Sequence, residues 1–331
     1  MFGIDWLTLL SAAALAFSVL TYVLLDGTDL GVGMLMGANR RMRDREVMVL
    51  SILPIWDANE TWLVLGGGGM LALFPLAYAI LLPALYEPLL VMLMALIVRA
   101  VALEFREYVA HKHLADALLL GGSLLATLCQ GLVLGTLVQG VPHDNGQYSG
   151  SGWEWLQPFP LFCALALVAG YLWLGTCWLY WRTEGDLHRR SARQAKCLAV
   201  LAMILLAGVL AWSLSFDERY MQRLAQPWVI GPAALAMLVL LAGFYMGFGR
   251  SRHCVPLFLA LGVVVVVAFG MMLVEIFPLV VPPSLTLTQA ASSASTQKFM
   301  LVGFALIVPV TLAYNTVGFR VFAGKIRPPS R

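Results

Sequence analysis

The sequence predicts an all-α polytopic membrane protein with nine transmembrane helices, the N-terminus on the periplasmic side and the C-terminus in the cytoplasm. Three observations predict it. Of 331 residues, 60% are hydrophobic and 12% charged, with a mean hydropathy of +0.84; a soluble domain carries about 25% charged residues. Nine apolar runs can each supply the roughly 20 residues that cross about 30 Å of hydrocarbon. The connections between these runs are alternately rich and poor in Lys and Arg.

The runs are Leu7–Leu25, Val47–Phe74, Ala77–Leu103, Ala115–Val138, Phe159–Tyr180, Leu198–Leu214, Trp228–Phe248, Val255–Val281 and Phe299–Phe319. The second and third are the least separable. Of the 21 basic residues, 17 fall on one side: Arg40, Arg41, Arg43 and Arg45, then Arg106 and Lys112, then Arg182, Arg189, Arg190, Arg193 and Lys196, then Arg250 and Arg252, and finally Arg320, Lys325, Arg327 and Arg331. The other side has Arg219, Arg223 and Lys298, and Arg99 lies within a span. The positive-inside rule makes the rich side cytoplasmic, and eight or ten spans would break the alternation. A net charge of +3 sorted in this way points to a membrane and to no nucleic acid.

The first run lacks a basic leader, carries Asp5 and is followed by Asp-Gly-Thr-Asp, so it reads as a span and not as a cleaved signal. Where it ends, Asp26 and Asp29 meet three glycines and the Arg40 to Arg45 patch. Two readings stay open there: a helix terminus with solvated acids, or a cytoplasmic mouth presenting both acids on one face.

The second run holds Pro54-Ile55-Trp56-Asp57-Ala58-Asn59-Glu60-Thr61-Trp62 and four glycines, Gly66 to Gly69. A carboxylate at mid-membrane costs roughly 2.5–3.5 kcal/mol and usually marks a proton or substrate path. Asp57 and Glu60, three apart, are expected on one face, about 18 Å of helix beyond Arg45. Pro54 should kink the helix. A purely structural polar cluster that locks helices together is the competing reading. The glycines lack the Lys-Ser or Lys-Thr of a phosphate loop and read as close helix packing.

The third run carries Glu87, read as a third acid inside the bilayer, then Arg99, then Glu104 and Arg106 as an ordinary interfacial pair. Arg99 can snorkel or neutralise a buried acid. The connection over residues 140–152 is a short outer loop, with Trp153 and Trp155 as interface anchors. The fifth run is rich in aromatics that read as packing. Spans six and seven are featureless, Glu275 near the outer end of span eight reads as interfacial, and Tyr314-Asn315-Thr316 forms a modest polar patch in span nine.

The five histidines, His111, His113, His143, His188 and His253, all fall in connections or at helix ends, so no axial haem ligand is expected in the bundle core. No metal site, hydrolytic set or nucleotide loop is visible. The five cysteines contain no C-x-x-C pair, and a disulfide framework is not expected. Buried acids without a redox centre leave two mechanisms, proton conduction to a partner or proton-coupled secondary transport of a solute.

Taken together, the motifs resemble subunit II of cytochrome bd-type quinol oxidases, in particular the cyanide-insensitive branch. The resemblance rests on Asp26-Gly-Thr-Asp29-Leu-Gly-Val-Gly-Met34, the Pro54 to Trp62 stretch with its glycines, Phe74-Pro75 and Tyr78, and Arg99 to Arg106. It continues through Gly170-Tyr171 to Thr183-Glu184-Gly185, Phe277-Pro278, Pro282 to Thr286, and Phe322-Ala-Gly324-Lys325. It implies nine helices arranged as two four-helix bundles, within 1–140 and 153–283, plus a peripheral ninth helix over 298–320, all in one membrane domain of the bacterial inner membrane. It also implies a non-haem subunit that supports assembly of a haem-bearing subunit I and conducts protons to it. Two b-type haems and a d- or b-type haem would sit in that partner, quinol would be the substrate of the complex, and a small third subunit is left open. By the same resemblance Asp57 is the proton relay, with Glu60 beside it and Asp26 or Asp29 as intake groups, while Trp56 and Trp62 line a lipid or quinone crevice. Glu87 and Thr288-Gln289 depart from the family pattern and receive no role.

Overall fold

A computed structural model describes residues 4–249, 254–321 and 324–326; Arg250, Arg252, His253, Phe322, Arg327 and Arg331 lie outside them. The helices, in order, are α1 (Trp6–Leu35), α2 (Met42–Ile52), α3 (Trp56–Leu73), α4 (Pro75–Ala84), α5 (Tyr86–Phe105), α6 (Lys112–Gln139), α7 (Pro158–Arg182), α8 (Gly185–Ser213), α9 (Glu218–Leu224), α10 (Pro227–Phe248), α11 (Cys254–Ile276), α12 (Leu287–Ala290) and α13 (Ala294–Val321). Two small antiparallel hairpins accompany them: β1 (His143–Asp144) with β2 (Gln147–Tyr148), and β3 (Leu279–Val281) with β4 (Leu285–Thr286). The first turns at Asn145-Gly146, both at positive φ, the residue pair such a turn favours.

Among the described residues eight helices are long and apolar enough to cross a membrane, or nine if α3 and α4, which meet at 120°, count as one broken span. The expected nine is the upper of these counts. The least separable pair of runs, Val47–Phe74 and Ala77–Leu103, is built differently from expectation: four helices replace two. Pro54 lies in the turn between α2 and α3, where its ring and missing N–H stop the first helix. Pro75 opens α4 as its first residue, a position that needs no amide donor. The sharp corner at Phe74 then turns α4 away from the axis of α3.

Two further expectations are corrected. Helix α1 does not end at Leu25 but runs ten residues further, and Asp26 and Asp29 are buried in it. Glu87 sits in the exposed first turn of α5; the break at Leu85 makes it a helix-end residue, not a mid-span acid.

Helix α1 is central, packing on α3, α6 and α7. Its crossing with α7 depends on two glycines. A Cβ on Gly31 would come within 1.9 Å of the Tyr171 carbonyl oxygen, and one on Gly175 within 2.5 Å of the Gly31 carbonyl carbon, so the two backbones touch where the glycines face each other. The tetraglycine divides. Gly66 and Gly69 face Val19, Leu15 and Phe304, whereas Gly67 and Gly68 meet nothing within 4 Å. Only half of the run packs helices within this chain.

The alternation of charge along the sequence becomes a segregation of helix ends. At one end Arg41 pairs with Asp186, Arg190 with Asp44, and the Lys325 ammonium donates to the Tyr180 carbonyl. At the other, the Val141 amide donates to the Pro282 carbonyl and His143 bonds Ser284.

Candidate functional site

Three stretches of chain converge on one guanidinium. Arg99 on α5 is completely buried, and its Nη2 lies 2.7 Å from the Asp26 carboxylate, itself completely buried, and 3.7 Å from Glu60 on α3. One turn along α1, Asp29 accepts a 2.7 Å hydrogen bond from the Asn59 amide. Arg99 therefore neutralises a buried acid and does not snorkel. Removal of either partner would leave an uncompensated buried charge.

The geometry follows from helical spacing. Asp26 and Asp29 are three apart on α1, and Asn59 and Glu60 share the side of α3 that packs against it. Not every partner is supplied from within the cluster. Asp26 Oδ2, Asp29 Oδ1, Asn59 Oδ1 and two guanidinium nitrogens, Nε and Nη1 of Arg99, have no hydrogen-bond partner among the described residues.

Asp57 is not brought into this cluster. It sits in the first turn of α3 on the exposed side, the side that also presents Val64, Gly67, Gly68 and Leu71. Glu60 lies between, its side chain 28% exposed and turned to Arg99. The two tryptophans also part company. Trp62 is fully buried with its ring edge-on to Phe17, 5.8 Å between centroids, while Trp56 is half-buried, so they do not line one open crevice.

A polar stripe on α6 runs past the cluster. Asp116, Ser123, Thr127 and Gln130 are all buried and follow one helix face at steps of seven, four and three. At its far end Gln130 donates to Tyr22 at 2.8 Å and accepts from Tyr171 at 2.9 Å. Tyr22 lies one turn before Asp26 on α1. At the near end Asp116 bonds Arg106 at 2.6 Å and Arg45 at 3.0 Å, and Arg45 also donates to the Asn39 carbonyl. Arg106 is fully buried and pairs with Asp116; the expected surface pair with Glu104, which is exposed, is not formed. The two ionic layers are separated by about 10 Å of α5, the seven residues from Arg99 to Arg106.

Sequence reasoning missed Asn59, Tyr22, Gln130, Tyr171 and Asp116 as members of the site. Gln130 carried a signal: an amide in the middle of an otherwise apolar run. The tyrosines carried none, since a buried aromatic is ordinarily packing.

None of the described histidines is buried. His111 lies between α5 and α6 and His113 in the first turn of α6, both exposed, His143 belongs to the β1 strand, and His188 lies at the start of α8 against Tyr180. The interior offers carboxyl, guanidinium, amide, phenol, thiol and thioether groups, and no described cluster of three His, Cys, Asp or Glu side chains could hold a metal ion.

The family model for cytochrome bd terminal oxidase subunit II matches residues 7–322. Subunit 2 of the cytochrome bd-I ubiquinol oxidase of Escherichia coli is 30% identical over 216 residues, 62% of this chain and 56% of that protein. The chain thus matches little more than half the length of that relative. Subunit 2 of the cytochrome bd ubiquinol oxidase of Bacillus subtilis is 26% identical over 321 residues, 92% of each chain. In fold, the chain resembles the bd oxidase of Geobacillus thermodenitrificans with a TM-score of 0.80 at 16% identity, over 96% of this chain and 99% of that one. A buried acid–arginine core inside a bundle of membrane-length helices is thus carried by a multi-pass protein of the bacterial inner membrane that belongs to the cytochrome bd terminal oxidase subunit II family.

Proposed function

We propose that this chain is the non-haem subunit of a quinol:oxygen oxidoreductase, that it supports assembly of a haem-bearing subunit I, and that it conducts protons from the cytoplasm towards that partner. The observation that carries the reading is the imbalance of the buried core: three carboxyl groups, Asp26, Asp29 and Glu60, around one guanidinium, Arg99. One guanidinium balances one carboxylate. The surplus carboxyls are the groups that can carry a mobile proton, and their unpartnered oxygens suit a chain of ordered water. Asp26 and Asp29 belong to the interior of this route, not to a mouth. Intake falls to the Arg45–Asp116–Arg106 layer, and the α6 stripe joins it to the core.

Asp57 is the exit in this reading. It lies one turn from Glu60 but on the uncovered side of α3, where a lipid-facing acid would be costly and where Gly67 and Gly68 leave room for a partner helix to approach closely. Subunit I is the partner that covers this face, and the haems and the electron chemistry belong to it. The orientation, with the basic helix ends in the cytoplasm, and the division into bundles within 1–140 and 153–283 with a ninth helix over 298–320 belong to the same proposal. A proton-coupled secondary transporter would use the same acids, but family membership does not favour it.

Asp57→Asn tests the exit. The complex is expected to assemble with an unchanged visible spectrum while quinol oxidation and proton uptake fall by about 10²-fold. Full turnover would remove Asp57 from the path, and poor assembly with no proton defect would favour a scaffold.

A further inference from the structure

On the side of the two hairpins the acid core is bounded by a layer of three side chains. Gln130 on α6 is held between two tyrosines: its Nε2 donates to the Tyr22 hydroxyl at 2.8 Å, and its Oε1 accepts from the Tyr171 hydroxyl at 2.9 Å. All three residues are buried. The layer ties α1, α6 and α7 together one turn before Asp26 on α1. On its basic-end side, Ser123 Oγ, Asp26 Oδ2 and Asp29 Oδ1 have no hydrogen-bond partner among the described residues. Within the layer, both polar atoms of Gln130 are engaged.

Beyond the layer, towards the hairpins, the interior changes character. From Gly170 back to Phe159, α7 carries no charged, amide or hydroxyl side chain, over about 16 Å of helix. The nearest hydroxyls on the other two helices, Ser18, Thr21 and Thr136, each donate to a carbonyl of their own helix. Backbone contact closes the space. A Cβ on Gly131 would come within 2.3 Å of Ala164 Cα, and one on Gly135 within 2.5 Å of Pro160 Cα, so α6 and α7 leave no room for water between them. A narrow slot of about 210 Å³ between α7, α8 and α11 does reach Tyr171, and Glu275, expected at the membrane interface but only 2% exposed, stands at its hairpin end. Leu167, Leu206, Val264 and Phe269 are typical of its walls, and an apolar void holds no chain of water.

A hydroxyl can accept one proton and release its own, so either tyrosine can pass a proton on. The carboxamide between them cannot. Its acceptor and its donors are different atoms, and a proton taken at Oε1 is passed on only if Nε2 gives one up, which requires the high-energy imidic acid. The membrane sets what is at stake: each 100 mV across it is worth about 2.3 kcal/mol per proton and drives protons into any continuous polar path. We propose that Gln130 is the proton stop of this chain, ending the relay at the acid core and keeping protons of the hairpin side out of it. This role rests on the conduction reading, since a stop is needed only where a path runs.

The test measures leak without turnover. The purified complex is reconstituted into vesicles holding a pH-sensitive dye, no quinol is added, and proton entry is driven by a potassium diffusion potential set with valinomycin. Gln130→Glu keeps the shape of the side chain but puts a group that takes and releases protons in its place. Its passive proton conductance per complex is expected to rise on the order of 10²-fold over wild type, the scale of a positioned proton-transfer group. Gln130→Leu removes the same two hydrogen bonds and is expected to stay as tight as wild type. Equal leak through both variants would make the layer a packing element and overturn the stop. A tight Gln130→Glu beside an Asp57→Asn complex that has lost proton uptake also overturns it and leaves the conduction reading standing, whereas a tight Gln130→Glu beside a fully active Asp57→Asn sinks both. Should Gln130→Glu fail to assemble, Gln130→Ser takes its place, trading the amide for a hydroxyl and room for water, and the same leak decides.

Discussion

Arg99 has three acidic neighbours in Asp26, Glu60 and Asp29, and its replacement cannot be local. Arg99→Leu strands the Asp26 carboxylate in the interior and is expected to cost about 3–5 kcal/mol, read as a lower yield of assembled complex and earlier thermal unfolding in detergent. The paired variant Asp26→Asn with Arg99→Leu should regain part of that loss. Wild-type assembly of Arg99→Leu alone would show that the ion pair holds nothing in place. A second residue-scale expectation concerns the loop between α6 and α7. Glu154 is buried, which alone would raise its pKa, but hydrogen bonds from the Tyr148 hydroxyl and the Ser151 amide prevail and hold it below the ordinary 4.5. Burial and this same bond push the Tyr148 phenol up to about 12. A depressed carboxyl stabilises the folded loop fully above its unfolded pKa, and the contribution is lost as pH falls through the folded value. Amide exchange over residues 143–156, corrected for intrinsic rates, should therefore be slow at pH 7 and accelerate as the pH falls well below the ordinary 4.5; equal protection at both would count against the Glu154 anchor.

At the scale of elements, the glycines separate positions packed within the chain from positions left open. Gly31→Ala forces the α1 and α7 backbones apart and is expected to lower stability by about 1–3 kcal/mol, the usual cost of overpacking. Gly68→Ala points into open space and should leave the fold of this chain intact, even gaining up to about 1 kcal/mol of helix propensity. If α3 is the face that meets subunit I, Gly68→Ala should instead weaken association of the two subunits on size-exclusion chromatography. An unchanged elution profile would move the interface elsewhere. The polar stripe on α6 shows why element-level reading of the sequence stopped short. Asp116, Ser123, Thr127 and Gln130 are individually ordinary, and hydroxyl residues in membrane helices commonly bond their own backbone, as Thr127 does to the Ser123 carbonyl. Only their common burial opposite α1 and α5 makes them one feature.

At the scale of the whole molecule, the basic connections and the hairpin end define two opposite faces, and the topology is testable without reference to mechanism. In a background lacking the native cysteines, Asn145→Cys should react with an impermeant maleimide applied to intact cells, while Glu107→Cys should react only after permeabilisation. The reverse pattern would invert the orientation that the positive-inside rule gives. Salt is a second probe. The ion pairs Arg41–Asp186 and Arg190–Asp44 are at least partly exposed at the basic end and are screened at high ionic strength, whereas the Arg99 core is not.

Composition, run length and charge alternation determined the class of this protein, the number of membrane crossings to within one and the acids worth watching, because each reflects a cost set by the bilayer on every residue it touches. The partners of those acids were decided only by tertiary structure. Whether Asp26 meets water or Arg99, whether Asp57 faces the core or the outside, and whether Glu275 lies at a surface or at the end of a slot depend on the rotation of each helix about its axis and on breaks at Pro54, Phe74 and Leu85. Helix rotation is fixed by packing against distant segments, through contacts such as Gly31 against Gly175, and no local pattern along the chain encodes it.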